Sequence, residues 1–284
     1  MRYGFVIPTG DIPEIVALGR EIEATGWDGV FVGDGVYGTD LWVTLGAIAA
    51  VTERVVLGPL LTPASRRRPW KLASEAATLD RLSGGRAVVP VGMGALDTGF
   101  AAVGEATERR VRAERLDECL ELVTRFWAGK PFRFAGRHYT VSWDDAVPFN
   151  PVQTPRIPIW VAALWPSKRS MARPLRFDGV LPNVRASVDL PPVIESSDGA
   201  YGQVTPAHVA EIARYVADHR PVRTPFEIVA EGVTPLGDPD GAAAIVQPYG
   251  DAGATWWIES MWDAPGGLAA VRARVAQGPT RTDH

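Results

Sequence analysis

From end to end the chain repeats one pattern: a short apolar run, a turn rich in Gly, Pro or Asp, then a stretch of helical period. Tyr3 to Ile7 is the first strand-like run. Asp11 and Glu14 then have the spacing of a capping box, Ile15, Leu18 and Ile22 recur on one helical face, and Gly26 stands where a helix ends. Gly29 to Val32, Val55 to Leu61 and Arg86 to Val91 read as strands two to four. The helices between them cover Leu41 to Val51 and Pro69 to Gly84. The clearest period runs from Glu108 to Ala128, with Leu116, Cys119, Leu120, Val123 and Trp127 on one stripe. A small hairpin is predicted over Phe132 to Val141, around Ala135-Gly136. Strands five to eight are Ile157 to Ala162, Gly179 to Leu181, Phe226 to Ala230 and Thr255 to Ile258. Helices cover Pro206 to Asp218, Asp240 to Tyr249 and Leu268 to Val275.

Eight strands alternating with about eight helices is the count of a (β/α)8 TIM barrel, expected here as one domain over residues 1–276 with a polar, mobile tail at 277–284. The length of 284 residues suits a fold that occupies about 250. Val184 to Val204 is too long and too rich in Pro, Ser and Gly for an ordinary barrel loop, and is expected to be a lid over the substrate.

Composition narrows the functional classes. With 29 Lys and Arg against 33 Asp and Glu, the formal charge of −4 argues against nucleic acid as the main partner. The single cysteine excludes a disulfide framework and a Cys-based zinc site. There is no signal-peptide pattern at the start and no run of about 18 apolar residues, so a cytoplasmic protein without membrane spans is expected.

Barrel enzymes place their chemistry at the carboxyl ends of the strands. Here those ends include Asp34-Gly35, Leu60-Leu61-Thr62, Gly92-Met93-Gly94, Ala163-Leu164-Trp165, Pro182-Asn183, Glu231-Gly232 and Glu259 to Trp262. The set has no His, no Cys and no close carboxylate cluster, which disfavours a metal site or a His-based triad. A pocket rich in Gly, Leu, Met and Trp but poor in acid–base groups suits an organic cofactor with its own reactivity. Asp34 and Asp97 are the side chains nominated for proton work. The run Arg66-Arg67-Arg68 is read as a solvated charge cluster, and Asp80, Arg81 and Arg86 as structural. Trp165, Trp256, Trp257 and Trp262 crowd two strand ends, and at most one of Trp256 and Trp257 faces the interior.

The segment Leu57-Gly58-Pro59-Leu60-Leu61-Thr62-Pro63, the stretch Ala77 to Arg86 (ATLDRLSGGR) and Val91-Gly92-Met93-Gly94 resemble the luciferase-like family of flavin- or deazaflavin-dependent oxidoreductases. Gly26 to Asp34, Asp178-Gly179 and Ala252 to Trp257 fit the same family, so the resemblance covers nearly the whole chain. It implies a TIM barrel that binds FMN or the deazaflavin coenzyme F420 and acts on a small-molecule substrate, as a homodimer. It further implies a bulge in strand three, often with a non-prolyl cis peptide, backing the ring among Pro59, Leu60 and Leu61. Thr62 would stand beside it, Gly92, Met93 and Gly94 would meet the cofactor, and Ala163, Leu164, Ser167 and Lys168 would hold its phosphate. Two departures stand out. The family often has His after the acidic residue ending strand two, where this chain has Gly35, and it more often has glycines where Ala163 and Leu164 stand. FMN with oxygen implies a monooxygenase and the deazaflavin a hydride-transfer enzyme. A cofactor-binding member without catalysis is the alternative.

Overall fold

The computed structural model describes residues 1–8, 10–96, 99–145, 149–189, 192–196, 199–222, 224–262 and 266–281, with backbone alone for 192–196. The first half runs β1 (Arg2–Ile7), α1 (Ile12–Ala24), β2 (Gly29–Val32), α2 (Leu41–Ala49), β3 (Val56–Pro59), β4 (Thr62–Pro63), α3 (Pro69–Leu82), β5 (Val89–Gly92) and α4 (Arg109–Trp127). A hairpin of β6 (Phe132–Ala135) and β7 (Thr140–Trp143) precedes β8 (Ile159–Trp165), the short α5 (Lys168–Met171) and β9 (Gly179–Arg185). The chain continues through β10 (Pro192–Ser196), β11 (Gly199–Gly202), α6 (Pro206–His219), β12 (Glu227–Gly232), α7 (Pro239–Asp251), β13 (Trp256–Glu259) and α8 (Gly267–Gln277).

In the main sheet the strands pair in the order β3-β2-β1-β13-β12-β9-β8-β5-β4, in parallel throughout. Since β3 and β4 are two halves of one barrel strand, and Leu57 also bridges Ala87 beside β5, the ring closes as a (β/α)8 barrel. The predicted third strand is thus broken. It stops at Pro59 and resumes at Thr62, and the Leu60–Leu61 peptide between them is cis.

Alternation along the strands separates two cores. Val6, Phe31, Leu60, Val88, Trp160, Leu181, Val229, Trp256 and Ile258 fill the barrel, while a larger cluster joins the outer strand faces to the helices. Phe31, Trp160 and Trp256 pack with ring centroids 5.4–5.9 Å apart and plug the amino-terminal end, where Arg2 lies over Trp256 at 4.4 Å. Trp257 turns outward against Tyr249 of α7. Both tryptophans begin β13, so they stand at the amino-terminal end of the strand and not at the strand end where the sequence reading put them.

Other expectations shift for local reasons. Asp11 occupies the N-cap of α1 but its side chain caps nothing; Pro13, at the second helical position, has no N–H to offer it. Gly26 follows that helix at φ +89°, where a left-handed residue is needed. Phe126 and Trp127, at the end of α4, pack inward. Trp127 donates to the Ala73 carbonyl, and Phe126 lies under Phe132 and Trp143 of the hairpin. The stretch from 184 to 204 is not irregular: β10 and β11 form an antiparallel hairpin, and β11 joins the end of β9 through Tyr201 opposite Arg185 and Gly202 opposite Val184. Arg281 in the polar tail donates to the Gly26 carbonyl and to Asp28 at the barrel floor.

Candidate active site

At the mouth, the break in strand three leaves Leu60 in the barrel interior and Leu61 above it, partly exposed. Gly92, ending β5, faces them. A Cβ there would lie 3.0 Å from Leu61 Cδ1 and 3.2 Å from the Ala162 Cβ, so the missing side chain lets Leu61 form an apolar ledge. Gly94 has φ +81°, and the buried Arg112 donates to its carbonyl at 2.8 Å. Pro59 ends β3, and Thr62 is fully buried with its hydroxyl on Asp34. The structure therefore places Pro59, Leu60, Leu61, Thr62, Gly92 and Gly94 at neighbouring strand ends on the carboxyl side of the barrel.

Other nominated residues fall elsewhere. Met93 and Ala163 belong to the helix-facing core, and Met93 contributes its carbonyl to Ser65. The Leu164 N–H donates to the Ser170 hydroxyl, and Ser167 accepts from the Ser170 N–H as the cap of α5, leaving Lys168 exposed. Asp97 lies outside the described residues. His138 pairs with Glu114, His208 caps α6 and His219 stacks on Tyr215, so these three stay away from the mouth. Among the described residues no three or more His, Cys, Asp or Glu converge as a metal would require.

Asp34 is held by an unexpected constellation. Its side chain is 2% exposed, and Oδ1 accepts from Arg66 at 2.9 Å and from Arg67 at 2.8 Å, while Oδ2 accepts from Arg67 Nε at 3.2 Å and from Thr62. Arg66 also donates to the Asp34 and Gly35 carbonyls, each at 2.7 Å. Only Arg68 keeps the solvated character expected of the triplet. Arg66 Nη1 is buried without a partner beside a cleft of about 460 Å³ that Asp34, Tyr37, Arg67 and Glu105 help to line. An unsatisfied donor in such a place fits a carbonyl or anionic oxygen of a bound group.

The second unexpected group is Glu231, at the carboxyl end of β12. Val229 points into the barrel, and Glu231, two residues on, shares its face. Its carboxylate accepts no hydrogen bond from a described side chain, and burial pushes it up to about 7 from an ordinary 4.5. It is nevertheless partly exposed, at the mouth end of its strand. The sequence offered one signal for it, a carboxylate on the inward face at a strand end.

The charge on Glu231 opposes folding. A carboxyl held more tightly by its proton in the folded chain contributes stability below about pH 4.5 that is lost as pH rises through about 7. Glu231→Gln is expected to match the wild type near pH 4.5 and to exceed it by about 1–3 kcal/mol above pH 7, measured as unfolding free energy across pH. Parallel curves would refute the burial of the charge.

A closed (β/α)8 barrel with an apolar ledge, a glycine facing it and an unsatisfied arginine at its carboxyl end is the framework of an organic-cofactor enzyme. Residues 1–185 match the family model described as luciferase-like monooxygenase, and the chain belongs to that family. It is 32% identical over 168 residues to an F420-dependent glucose-6-phosphate dehydrogenase of Microbacterium testaceum, covering 56% of this chain and 49% of that one. It is 29% identical over 264 residues to the enzyme of that name from Kineococcus radiotolerans, covering 77% and 75%. The chain thus spans about half the length of the first of these relatives. Its fold is that of the coenzyme F420-dependent tetrahydromethanopterin reductase of Methanopyrus kandleri (TM-score 0.75, 18% identity, 98% of each chain). It is likewise that of monooxygenase RslO1 of Streptomyces bottropensis (TM-score 0.73, 19% identity, 97% of each chain).

Proposed function

We propose that the protein is an oxidoreductase that binds FMN or the deazaflavin coenzyme F420 at the mouth of its barrel and acts on a small organic substrate. The observation that carries this reading is the ledge of Leu60 and Leu61 facing Gly92, an apolar seat for one face of a planar ring. The curated relatives, named for F420, favour the deazaflavin over FMN. When bound, such a cofactor supplies the two-electron chemistry that the side chains lack.

The chain's own part is to hold and desolvate. Leu60 and Leu61 back the ring, with Pro59 and Thr62 fixing the strand ends beside them. Gly92 and Gly94 keep the facing wall clear of side chains. Arg66 directs Nη1 at an oxygen of the bound group. The exposed Lys168, at the start of α5 in the loop of Ala163, Leu164 and Ser167, remains our assignment for the phosphate, because the Leu164 and Ser167 N–H groups are already bonded within that loop, and Met93 contributes main chain alone. Asp34 anchors Arg66 and Arg67, and Asp97 is retained as a candidate for proton work. The hairpin of β10 and β11 covers the substrate. The family resemblance supports a homodimer in the cytoplasm, and no helix among the described residues is long and apolar enough to cross a membrane.

Titration with F420 and with FMN, followed by tryptophan fluorescence, tests the reading. Trp262 is the expected reporter, because it is 44% exposed and lies 3.3 Å from a Cβ position at Gly33, whereas Trp160, Trp256 and Trp257 are buried away from the opening. Trp262→Phe is expected to remove a large share of the quenching. Preference for FMN would turn the assignment towards oxygen chemistry. Absence of binding by either at concentrations approaching millimolar overturns it.

A further inference from the structure

We infer that Glu231 is the proton-transfer residue of this barrel, facing the Leu60–Leu61 ledge across the mouth, where it takes up or returns the proton that accompanies hydride transfer. The inference rests on the oxidoreductase reading above and supplies the acid–base group that Gly35 leaves missing.

Position carries the argument. In the strand order β12 stands four places from the β3–β4 strand by either route, through β13, β1 and β2 or through β9, β8 and β5. In a ring of eight that is the opposite wall, and an eight-stranded barrel is only wide enough for side chains or one small ligand. A molecule seated on the ledge therefore presents its free side towards Glu231. The neighbouring inward positions, Ile258 of β13 with Ser260 just beyond it, and Leu181 and Asn183 of β9, bring no charge.

The charged groups on surrounding elements are engaged elsewhere. Glu259 of β13 points outward and pairs with Arg274. Arg185 at the end of β9 lies over Tyr201 of β11 at 4.8 Å. On α6, Glu211 accepts from Trp165 and His208 caps its own helix. Burial is the sole cause of the carboxyl's displacement to about 7, which puts both protonation states within reach near neutrality. Gln203, just beyond β11, donates to the Glu231 carbonyl at 3.0 Å and fixes the hairpin's base beside the carboxyl.

The chemistry balances with an oxidised deazaflavin as hydride acceptor. For a substrate that carries hydride and proton on adjacent atoms, such as an alcohol, the C–H bond breaks and its electron pair leaves with the hydrogen. The O–H proton passes to the Glu231 carboxylate, and the carbon–oxygen double bond forms. In the reverse direction the neutral carboxyl returns that proton to the ketone oxygen.

The test compares wild type with Glu231→Gln in their affinity for F420 and for FMN between about pH 5.5 and 8.5, read by tryptophan quenching. The cofactor's own phosphate titrates in both proteins and cancels in their ratio. Because both cofactors are anionic, the wild-type affinity relative to the variant is expected to fall above about pH 7, by up to about tenfold per pH unit. With F420 and a panel of secondary alcohols such as 2-propanol and cyclohexanol, any substrate of the wild type should lose about 100-fold or more in kcat in the variant. A flat affinity ratio with both cofactors bound, or an undiminished kcat, overturns the role of Glu231 and leaves the oxidoreductase reading standing. If neither cofactor binds wild type or variant at any pH, the reading itself falls and this inference with it.

Discussion

Asp34→Ala is expected to lower the stability of the protein by about 3–5 kcal/mol, a large effect for one residue beside a candidate active site. The reason is what it leaves behind. Arg66 and Arg67 have side chains only 8% and 20% exposed, and both direct charged donors at the same carboxylate oxygen. Without it, two guanidinium groups share a poorly hydrated space, with Glu75 as a distant partner to Arg67 at 3.5 Å. Asp34→Asn keeps the shape but not the charge, so it should recover part of the loss. Adding Arg66→Met to Asp34→Ala should recover more, because the buried charge goes with its partner. Urea unfolding with unchanged slope measures this directly. If Asp34→Ala unfolds at the wild-type midpoint, the pair of arginines is held by something else and the anchor assignment is wrong. The same variants bear on function, since a carboxylate with both oxygens engaged by guanidinium and hydroxyl donors is a poor proton shuttle and a good clamp.

The barrel was legible because each strand is an apolar run punctuated by turn residues, and that signal is local. Gly29–Val32 is recovered to the residue. Where the reading slipped, a non-local partner decided. Arg86 reads as the start of strand four, and its carbonyl does accept from the Leu57 N–H, but its side chain donates to the carbonyls of Ala49, Thr52, Val55 and Ser83 around the floor, and only a single bridge at Ala87 precedes the strand that begins at Val89. Val55 to Leu61 reads as one strand because five of its seven residues are Val or Leu; the break after Pro59 was visible only through the family resemblance. Arg66 and Arg67 look like any basic run until Asp34, more than thirty positions earlier, is folded against them. Glu231 was named as a strand end but not singled out, since desolvation of a lone carboxylate is a property of the closed barrel and its one sequence signal is an inward position at that strand end. In the 184–204 stretch the Pro, Ser and Gly content hid a hairpin whose register comes from the end of β9.

Glu259→Ala is expected to cost about 3–5 kcal/mol as well, at a site with no part in the proposed chemistry. Glu259 is fully buried and accepts from the Thr234 N–H at 2.6 Å, the Thr234 hydroxyl at 2.9 Å and Arg274 at 3.2 Å. Arg274, 2% exposed, also donates to Thr234 and to the Gly278 carbonyl, and lies over Trp27 at 5.0 Å. This cluster joins the end of β13 to α8 and to the loop after β12, and so fixes the wall from which Glu231 projects. Burial already lowers the readiness of Arg274 to carry its charge, and Glu259 is the main opposing influence. Removing the carboxylate alone therefore strands a charge, whereas replacing both partners by apolar side chains removes the desolvation cost along with the attraction. Glu259→Leu with Arg274→Met should then lie closer to wild type than Glu259→Ala alone, a non-additivity read from a double-mutant cycle in urea. Additive losses would show that the two residues act separately, through Thr234 and Gly278, and that the ion pair contributes little. The expected non-additivity also separates scaffold from site. The Glu259 variants should shift the unfolding midpoint with little change in the pH dependence assigned to Glu231, because the two carboxylates stand on opposite faces of the barrel wall.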